Sequence, residues 1–453
     1  MLLKNTWGKR WSSLFMKLEL NDLSKDELIE IILNKEKRIE ELEKEKKNIE
    51  KKLKKYENPN TPSSAQHFEA KPESRATGNP RGAPIGHKGA TLILPEPDEV
   101  ISVHAQKCGN CKSTNVEVLD TVRPKTVVSI VKPQVRITRY ECDEIRCLDC
   151  HTITIAKHKD IPKIGIYDKT IQSLVSYFKF KGRMTHAAVT DAMRNVFGVP
   201  MTEPTSLEIT RRASKKLAPE YENLKQDVKK LDVVQADETS ISVLGGNHWV
   251  WVFCNALISF FRIIKERGGS IVEETLGKDF AGKLVSDGWQ TYTTYTKDNK
   301  VVHSRCWAHG LREVKFECKV KHPDLYGWYC DIYKMAEKGN AYKQEKRRLR
   351  MFEKCKGGLA AWVATAKTHQ NLRKIAGKIE NGGDDWLTPI LHPEVPLTNN
   401  ESERSIRPFV IMGKIMGCLR SEEGKHVYET MMSLISTWEK QNKNVFYTLQ
   451  TTL

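Results

Sequence analysis

Three groups of side chains in this 453-residue chain have the type and spacing to do chemistry. The first group is acidic. Asp237 closes the apolar run Leu231–Ala236, and Asp287 follows Lys283-Leu-Val-Ser286. Carboxylates at the ends of neighbouring strands can face a common point. A third acid would come from a late helix, where Glu401 and Glu403 stand beside Arg404 and Arg407. Helical positions two residues apart point about 200° apart, so only one of these glutamates can face the aspartates. Three carboxylates around one point repel one another unless a divalent cation lies between them. Hard oxygen ligands suit Mg²⁺ or Mn²⁺. Two such ions about 3.5–4 Å apart would stabilise the attacking and leaving oxygens of an in-line displacement.

The second group is sulfur. Cys108-x2-Cys111 and Cys147-x2-Cys150 are two chelating pairs, and zinc accepts four thiolates tetrahedrally in closed, structural sites. Between the pairs, Thr126 to Val131 and Val135 to Tyr140 are rich in Val, Thr and Ile and read as a hairpin. Together they describe a zinc ribbon over residues 99–160, with Cys142, His104 and His151 as alternative ligands. Cys306-x2-His309 also has chelating spacing, but with no second pair nearby it reads as structural or DNA-positioning. The third group is basic. Arg211, Arg212, Lys215 and Lys216 lie on the last of three helical pieces (Thr170 to Phe180, Thr185 to Val196, Thr205 to Leu217) separated by Gly198–Pro200. This suits a helix-turn-helix-like DNA-binding domain over residues 165–225, although many three-helix packings share the pattern.

Composition narrows the setting. Lys and Arg total 74 against 57 acidic residues, a formal charge of +17, which favours a polyanionic partner and nucleic acid first. No apolar run approaches the length of a membrane span. Eleven cysteines without a secretory signal point to a reducing, cytoplasmic setting. The segment 20–57 is dominated by Lys, Glu, Ile and Leu. Its heptad seam Leu28, Ile32, Lys35, Ile39, Leu42, Lys46, Ile49, Leu53 and Tyr56 is apolar at all but the two lysines and argues a coiled coil, with dimerisation as its simplest use. Residues 58–98 carry seven prolines and several cations and read as a basic, extended linker.

The acidic group needs a scaffold. Leu231–Ala236, His248–Cys254 and Phe260–Ile264 read as a strand meander. A helical piece from Ile271 to Phe280, the strand Lys283–Ser286 and a strand Val301–Ser304 follow. This order fits a ribonuclease H-like core over residues 230–310 closed by a last helix in 396–440, although no helix is evident before Val301. Residues 311–395 read as a helical insertion, and core packing is the simplest use of its Trp328, Trp362 and Trp386.

The segment Thr398-Asn-Asn-Glu-Ser-Glu-Arg-Ser-Ile-Arg-Pro408 resembles the Asn-Asn-x-Ala-Glu-Arg-x-x-Arg-Pro signature of DDE transposases of the insertion sequence 66 family. The resemblance extends in order from about residue 20 to 440. It includes the coiled coil, Asn60-Thr-Pro-Ser-Ser64, Gly86-His-Lys-Gly89, the zinc ribbon, Asp237 in Ala-Asp-Glu-Thr, Ser286-Asp-Gly-Trp289, Cys306-Trp-Ala-His309 and Arg420-Ser-Glu-Glu-Gly424. It differs where Thr398 replaces a common Asp and Gly413-Lys414 an Arg-Lys pair. The resemblance implies a multidomain α/β protein whose triad is Asp237, Asp287 and Glu403, holding two Mg²⁺ or Mn²⁺ ions. Structural Zn²⁺ would sit on Cys108, Cys111, Cys147 and Cys150. DNA contacts would come from Arg211, Arg212, Lys215, Lys216, His309, Arg312, Arg404 and Arg407.

The implied activity is DNA transposition in a prokaryotic, nucleoid-associated setting. The protein would bind terminal inverted repeats, cut and transfer strands, and act as a homodimer or higher oligomer, alone or beside small accessory proteins. Two other classes keep the same features: a decayed or domesticated zinc-containing DNA-binding protein, and a structure-selective nuclease that does not join ends.

Overall fold

The computed structural model describes residues 33, 35–46 and 96–453, apart from 104–105, 108–109, 116, 118–124, 129–134, 269 and 319–320. The chain divides into two units, Met1–Ile93 and Leu94–Leu453. In the first, residues 35–46 are helical, and Ile39 and Leu42 of the heptad seam are exposed. The rest of the heptad segment and nearly all of the Pro-rich linker lie outside the described residues.

In the second unit, strands β1 (Glu144–Arg146) and β2 (Ile153–Ile155) form an antiparallel pair. The hairpin expected earlier, over Thr126–Tyr140, is not a strand pair in its described part; residues 125–128 and 135–140 are irregular. The Cys147-x2-Cys150 pair itself makes the turn between β1 and β2.

Three helices follow: α1 (Lys169–Ser176, continued by a π turn over Tyr177–Lys181), α2 (His186–Asn195) and α3 (Glu203–Val228). Asp168, Thr185 and Thr202 cap them, each accepting a hydrogen bond from a backbone N–H three residues on. Val175, Val189, Met193, Val199, Met201 and Ile209 form their shared core. The third helix is twice as long as its sequence suggests. It runs through Pro219, a residue that ordinarily interrupts a helix, because Leu217, Tyr221, Leu224 and Val228 continue its buried stripe against the sheet.

The central sheet has the order β5 (Ser259–Ile264), β4 (Gly246–Cys254), β3 (Val233–Val243), β6 (Lys283–Ser286), β7 (Val302–Arg305). The first three strands are antiparallel; β3–β6 and β6–β7 are parallel. Leu244 (φ 52°) and Gly245 (φ 77°) make the two-residue turn that joins β3 to β4, as a right-twisted hairpin requires.

Helix α4 (Ser270–Leu276) precedes β6, and α5 (Gln290–Asp298) lies between β6 and β7. The sequence hides α5, because four of its nine residues are β-branched threonines with low helix propensity. Tertiary burial of Tyr292, Thr293, Tyr295 and Thr296 at helical spacing forms it instead.

Residues 307–391 form helices α6 (Trp307–Cys318), α7 (Pro323–Asn340), α8 (Glu345–Thr368), α9 (Arg373–Gly382) and α10 (Thr388–Leu391). They have a core of their own around Trp307, Trp362 and Trp386, with Trp328 packed at its side. The insertion leaves and rejoins the sheet at one place: Trp307 N–H donates to the Leu397 carbonyl (2.9 Å) and Asn399 N–H to Cys306 Sγ (3.3 Å). Helices α11 (Asn400–Met416), α12 (Glu422–Lys440) and α13 (Val445–Thr452) complete the chain. Buried residues of α11 and α12 share the sheet core with Phe260, Phe261 and Ile263.

Candidate active site

Register brings the two aspartates together. The parallel pairs Val233–Lys283, Val234–Leu284 and Gln235–Val285 have an offset of 50 residues, which also separates Asp237 from Asp287. Pairing stops at Gln235, and the two carboxylates follow where β3 and β6 part, near enough for the Asp287 charge to act on Asp237. Asp237 lies within β3 and not at its end. The strand continues through polar Glu238, Thr239 and Ser240 because β4 pairs with it from Gln235 to Val243. Asp237 Oδ1 accepts from Glu238 N–H (2.9 Å), and Asp287 Oδ1 from Trp289 N–H (2.8 Å). Burial pushes the Asp237 carboxyl well above the usual carboxylate range, and the negative charges of Glu238, Asp287 and Glu403 push the same way.

Glu403, in the first turn of α11, is therefore within electrostatic reach of Asp237. Its carboxylate is held by the Arg312 guanidinium, with His309 Nε2 3.6 Å from the same oxygen; both partners lie on α6. Glu401 points elsewhere, to Lys440 Nζ (3.1 Å) and Arg404 (3.8 Å), as the helical spacing requires. With Glu403 turned to Arg312, no three carboxylate, imidazole or thiol groups among the described residues stand close enough together to hold a metal ion. The donor set nonetheless suits a hard cation: its chemistry is all carboxylate, and Asp237 carries an electrostatic penalty that a divalent ion would relieve.

Sequence reasoning missed a fourth acid. Glu238 follows Asp237 and so points to the other face of β3. There it accepts from Tyr292 O–H (2.6 Å) and pairs with Arg267 (2.7 Å). The Arg267 guanidinium also lies 4.2 Å from the Trp249 ring and 3.9 Å from that of Trp289. Burial raises the pKa of Glu238, and Asp287 adds to the effect. The only sequence signal was adjacency to Asp237.

The predicted DNA-contact residues lie on three helices, with His309 and Arg312 on α6 both turned to Glu403. Arg404 and Arg407 are exposed on α11 one turn apart beside Glu403. Those on α3 are engaged within the chain. Arg211 and Lys215 face Glu423 at 3.0 and 3.5 Å, Arg212 donates to the Ile164 carbonyl at 2.8 Å, and Lys216 donates to the carbonyl of Leu453. His309 is largely buried, and desolvation together with Arg312 lowers its pKa. In the β1–β2 turn, Cys147 N–H donates to the Thr152 carbonyl and His151 N–H to that of Cys147, both at 3.0 Å. Hydrogen bonding with Thr152 first, through its side chain and backbone, and also with Cys147 lowers the Cys150 thiol to about 7. Cys111 is exposed, and Cys108 lies outside the described residues.

A mixed five-stranded sheet that gathers acidic side chains at one strand junction, in a strongly basic chain, fits a protein acting on nucleic acid. The sequence model of the transposase IS66 family matches residues 164–427, and the chain belongs to that family. It is also 32% identical over 72 residues to the uncharacterized protein y4jO of Sinorhizobium fredii (strain NBRC 101917 / NGR234). That match covers 16% of this chain and only 22% of the relative's length. Among the described residues no helix is long and apolar enough to cross a membrane.

Proposed function

We propose that this chain is a DDE-type transposase that cleaves transposon ends and transfers them to target DNA, on a ribonuclease H-like sheet. The observation that supports it best is the shared register of Asp237 and Asp287 beyond the β3–β6 pairing, with Glu403 in electrostatic reach. The strand order, with three antiparallel strands followed by two parallel ones, supports the ribonuclease H-like reading.

Asp237, Asp287 and Glu403 would hold Mg²⁺ or Mn²⁺, which supplies activation of the attacking oxygen and stabilisation of the leaving one. In the first step water forms a bond to a phosphorus at the transposon end, and the 3′ oxygen leaves with a proton. In the second, that 3′-OH attacks a target phosphodiester and displaces the target's 3′ oxygen. Arg312 and His309 hold the Glu403 carboxylate to one side, so Glu403 must exchange Arg312 for the cation on entering the site. Arg404 and Arg407 are placed to take phosphates of the bound end. On α3, Lys215, 76% exposed, can reach a phosphate with the least rearrangement.

Cys108, Cys111, Cys147 and Cys150 would hold a structural zinc; the low Cys150 thiol and the tight β1–β2 turn support that assignment. The heptad segment would join two copies, each holding one DNA end, beside any accessory proteins of the element. The action is then cytoplasmic, at the nucleoid. The Glu403–Arg312 pair also favours a second reading, a DNA-binding relative without catalysis, because it neutralises the third acid.

Strand transfer with purified protein, Mn²⁺ and precleaved end DNA from the flanks of the reading frame tests the proposal. Joined products from the wild type should fall by at least about 10³-fold in Asp237→Asn and Glu403→Gln. Nicking without joining would identify a nuclease, and DNA binding with neither activity would favour the second reading.

A further inference from the structure

A chain of polar groups, buried at Ser286 and His303 and half-buried at Asp385, connects the helical insertion to the loop that carries Asp287. Ser286 Oγ lies 2.9 Å from His303 Nε2, and His303 Nδ1 lies 2.9 Å from Asp385 Oδ2. Asp385 belongs to the 3₁₀ turn Gly383–Trp386 of the insertion, and His303 to β7. The polarity of the chain follows from its ends. A carboxylate only accepts, so His303 presents Nδ1–H to Asp385, and in the neutral ring Nε2 is then the acceptor for the Ser286 hydroxyl. Ser286 Oγ in turn accepts from Gly288 N–H at 3.2 Å.

The order serine, histidine, aspartate is that of an activated nucleophile, but this serine has no exposed surface and its oxygen is occupied by Gly288. It cannot reach a substrate. What the series does hold is both neighbours of Asp287, since Ser286 precedes it and Gly288 follows.

A second contact reinforces the first. Arg305, on the same face of β7 as His303, places Nε 3.8 Å from the same Asp385 oxygen. Its side chain packs so closely on Gly288 that a Cβ there would lie 2.9 Å from Arg305 Cδ. Thr388 O–H donates to the His303 carbonyl at 2.6 Å and seats the insertion on β7. Asp385 thus meets both β7 side chains that clamp the Ser286–Gly288 segment.

We propose that Asp385 is a positioning residue: through His303, Ser286 and Arg305 it fixes the direction of the Asp287 carboxylate, so that the insertion sets the affinity of the catalytic cation. The inference rests on the reading of Asp287 as a cation ligand. Groups that orient metal ligands typically change affinity by about 10–100-fold when removed.

The test is Mn²⁺ binding to the full-length protein, followed by electron paramagnetic resonance of the free ion, together with thermal melting. Asp385→Asn should raise the half-saturating Mn²⁺ concentration roughly tenfold, and Asp385→Glu, at a site one-third exposed, should recover most of it. Asp287→Asn should abolish the same binding. If Asp287→Asn lowers binding and Asp385→Asn shifts only the melting temperature, Asp385 is a structural residue and the proposal falls while the active-site reading stands. If Asp287→Asn leaves Mn²⁺ binding unchanged, the active-site reading fails and this inference with it. Should Asp385→Asn not fold, His303→Gln interrupts the same chain one residue further along, and an unchanged half-saturation there also overturns the proposal.

Discussion

The sheet and the cysteine-bearing segment before it solve the same problem in opposite ways. In β4, Val250, Trp251 and Val252 are fully buried, and the positions of Asp237 and Asp287 follow from strand register and a core shared with α11 and α12. Over residues 96–160 none of the described residues is buried. Val103 and Ile137 are 89% exposed and Leu148 86%. Among its described residues the regular structure is two three-residue strands, and they flank a cysteine pair. Apolar burial fixes one region. The other shows no buried core among its described residues, and the proposed tetrahedral thiolate site would supply what fixes it.

Core truncation should separate the two most sharply. Phe261 is fully buried with its ring 4.8 Å from that of Phe409. Phe261→Ala should cost about 3–5 kcal/mol in the urea-induced unfolding of the sheet, whereas Leu148→Ala should stay within about 0.5 kcal/mol. An equal loss at Leu148 would show that the segment buries its side chains against something, and the contrast would fail.

Zinc removal should produce the converse. Treatment with a chelator, or Cys150→Ser, should open residues 96–160 to protease and release one zinc per chain, while the melting transition of the sheet stays in place. If both regions melt together, the sheet depends on the metal as well.

These expectations also mark what the sequence makes legible. The strands of the central sheet and the apolar stripes of the three helices before it can be read from local pattern, because periodicity is local, whereas the hairpin read over Thr126–Tyr140 gives way to short strands at Glu144–Arg146 and Ile153–Ile155. The helix at Gln290–Asp298 cannot be read so, since its threonines oppose it and only burial forms it. The Ser286–His303–Asp385 chain cannot either, because its last link joins residues 82 positions apart on different elements. Glu238 lay in plain view beside Asp237, but its role depends on Arg267 and Tyr292, which the fold brings from elsewhere.

A smaller effect than core truncation or zinc removal is expected at Asp237 itself. Its folded pKa is raised, so the native state binds the proton more tightly than the unfolded chain does. The contribution is favourable at low pH and is lost as pH rises from the unfolded value through the folded one. Asp237→Asn imitates the protonated form and should raise the melting temperature of the metal-free protein at pH 7 by on the order of a few degrees. The gain should vanish near pH 4 and be matched in the wild type by added Mn²⁺. A gain that persisted at pH 4 would assign the effect to packing and not to charge.

The insertion enters and leaves through a single doorway, with Trp307 bonded to Leu397 and Asn399 to Cys306. To the sheet, everything beyond that doorway has the entropy of a closed loop, and this grows only with the logarithm of loop length. A change in the length of this module away from Asp385 and Thr388, which partner β7, should therefore cost the strands little. If Asp287 is the cation ligand proposed above, a change at Asp385 would be felt there before it was felt in the stability of the fold.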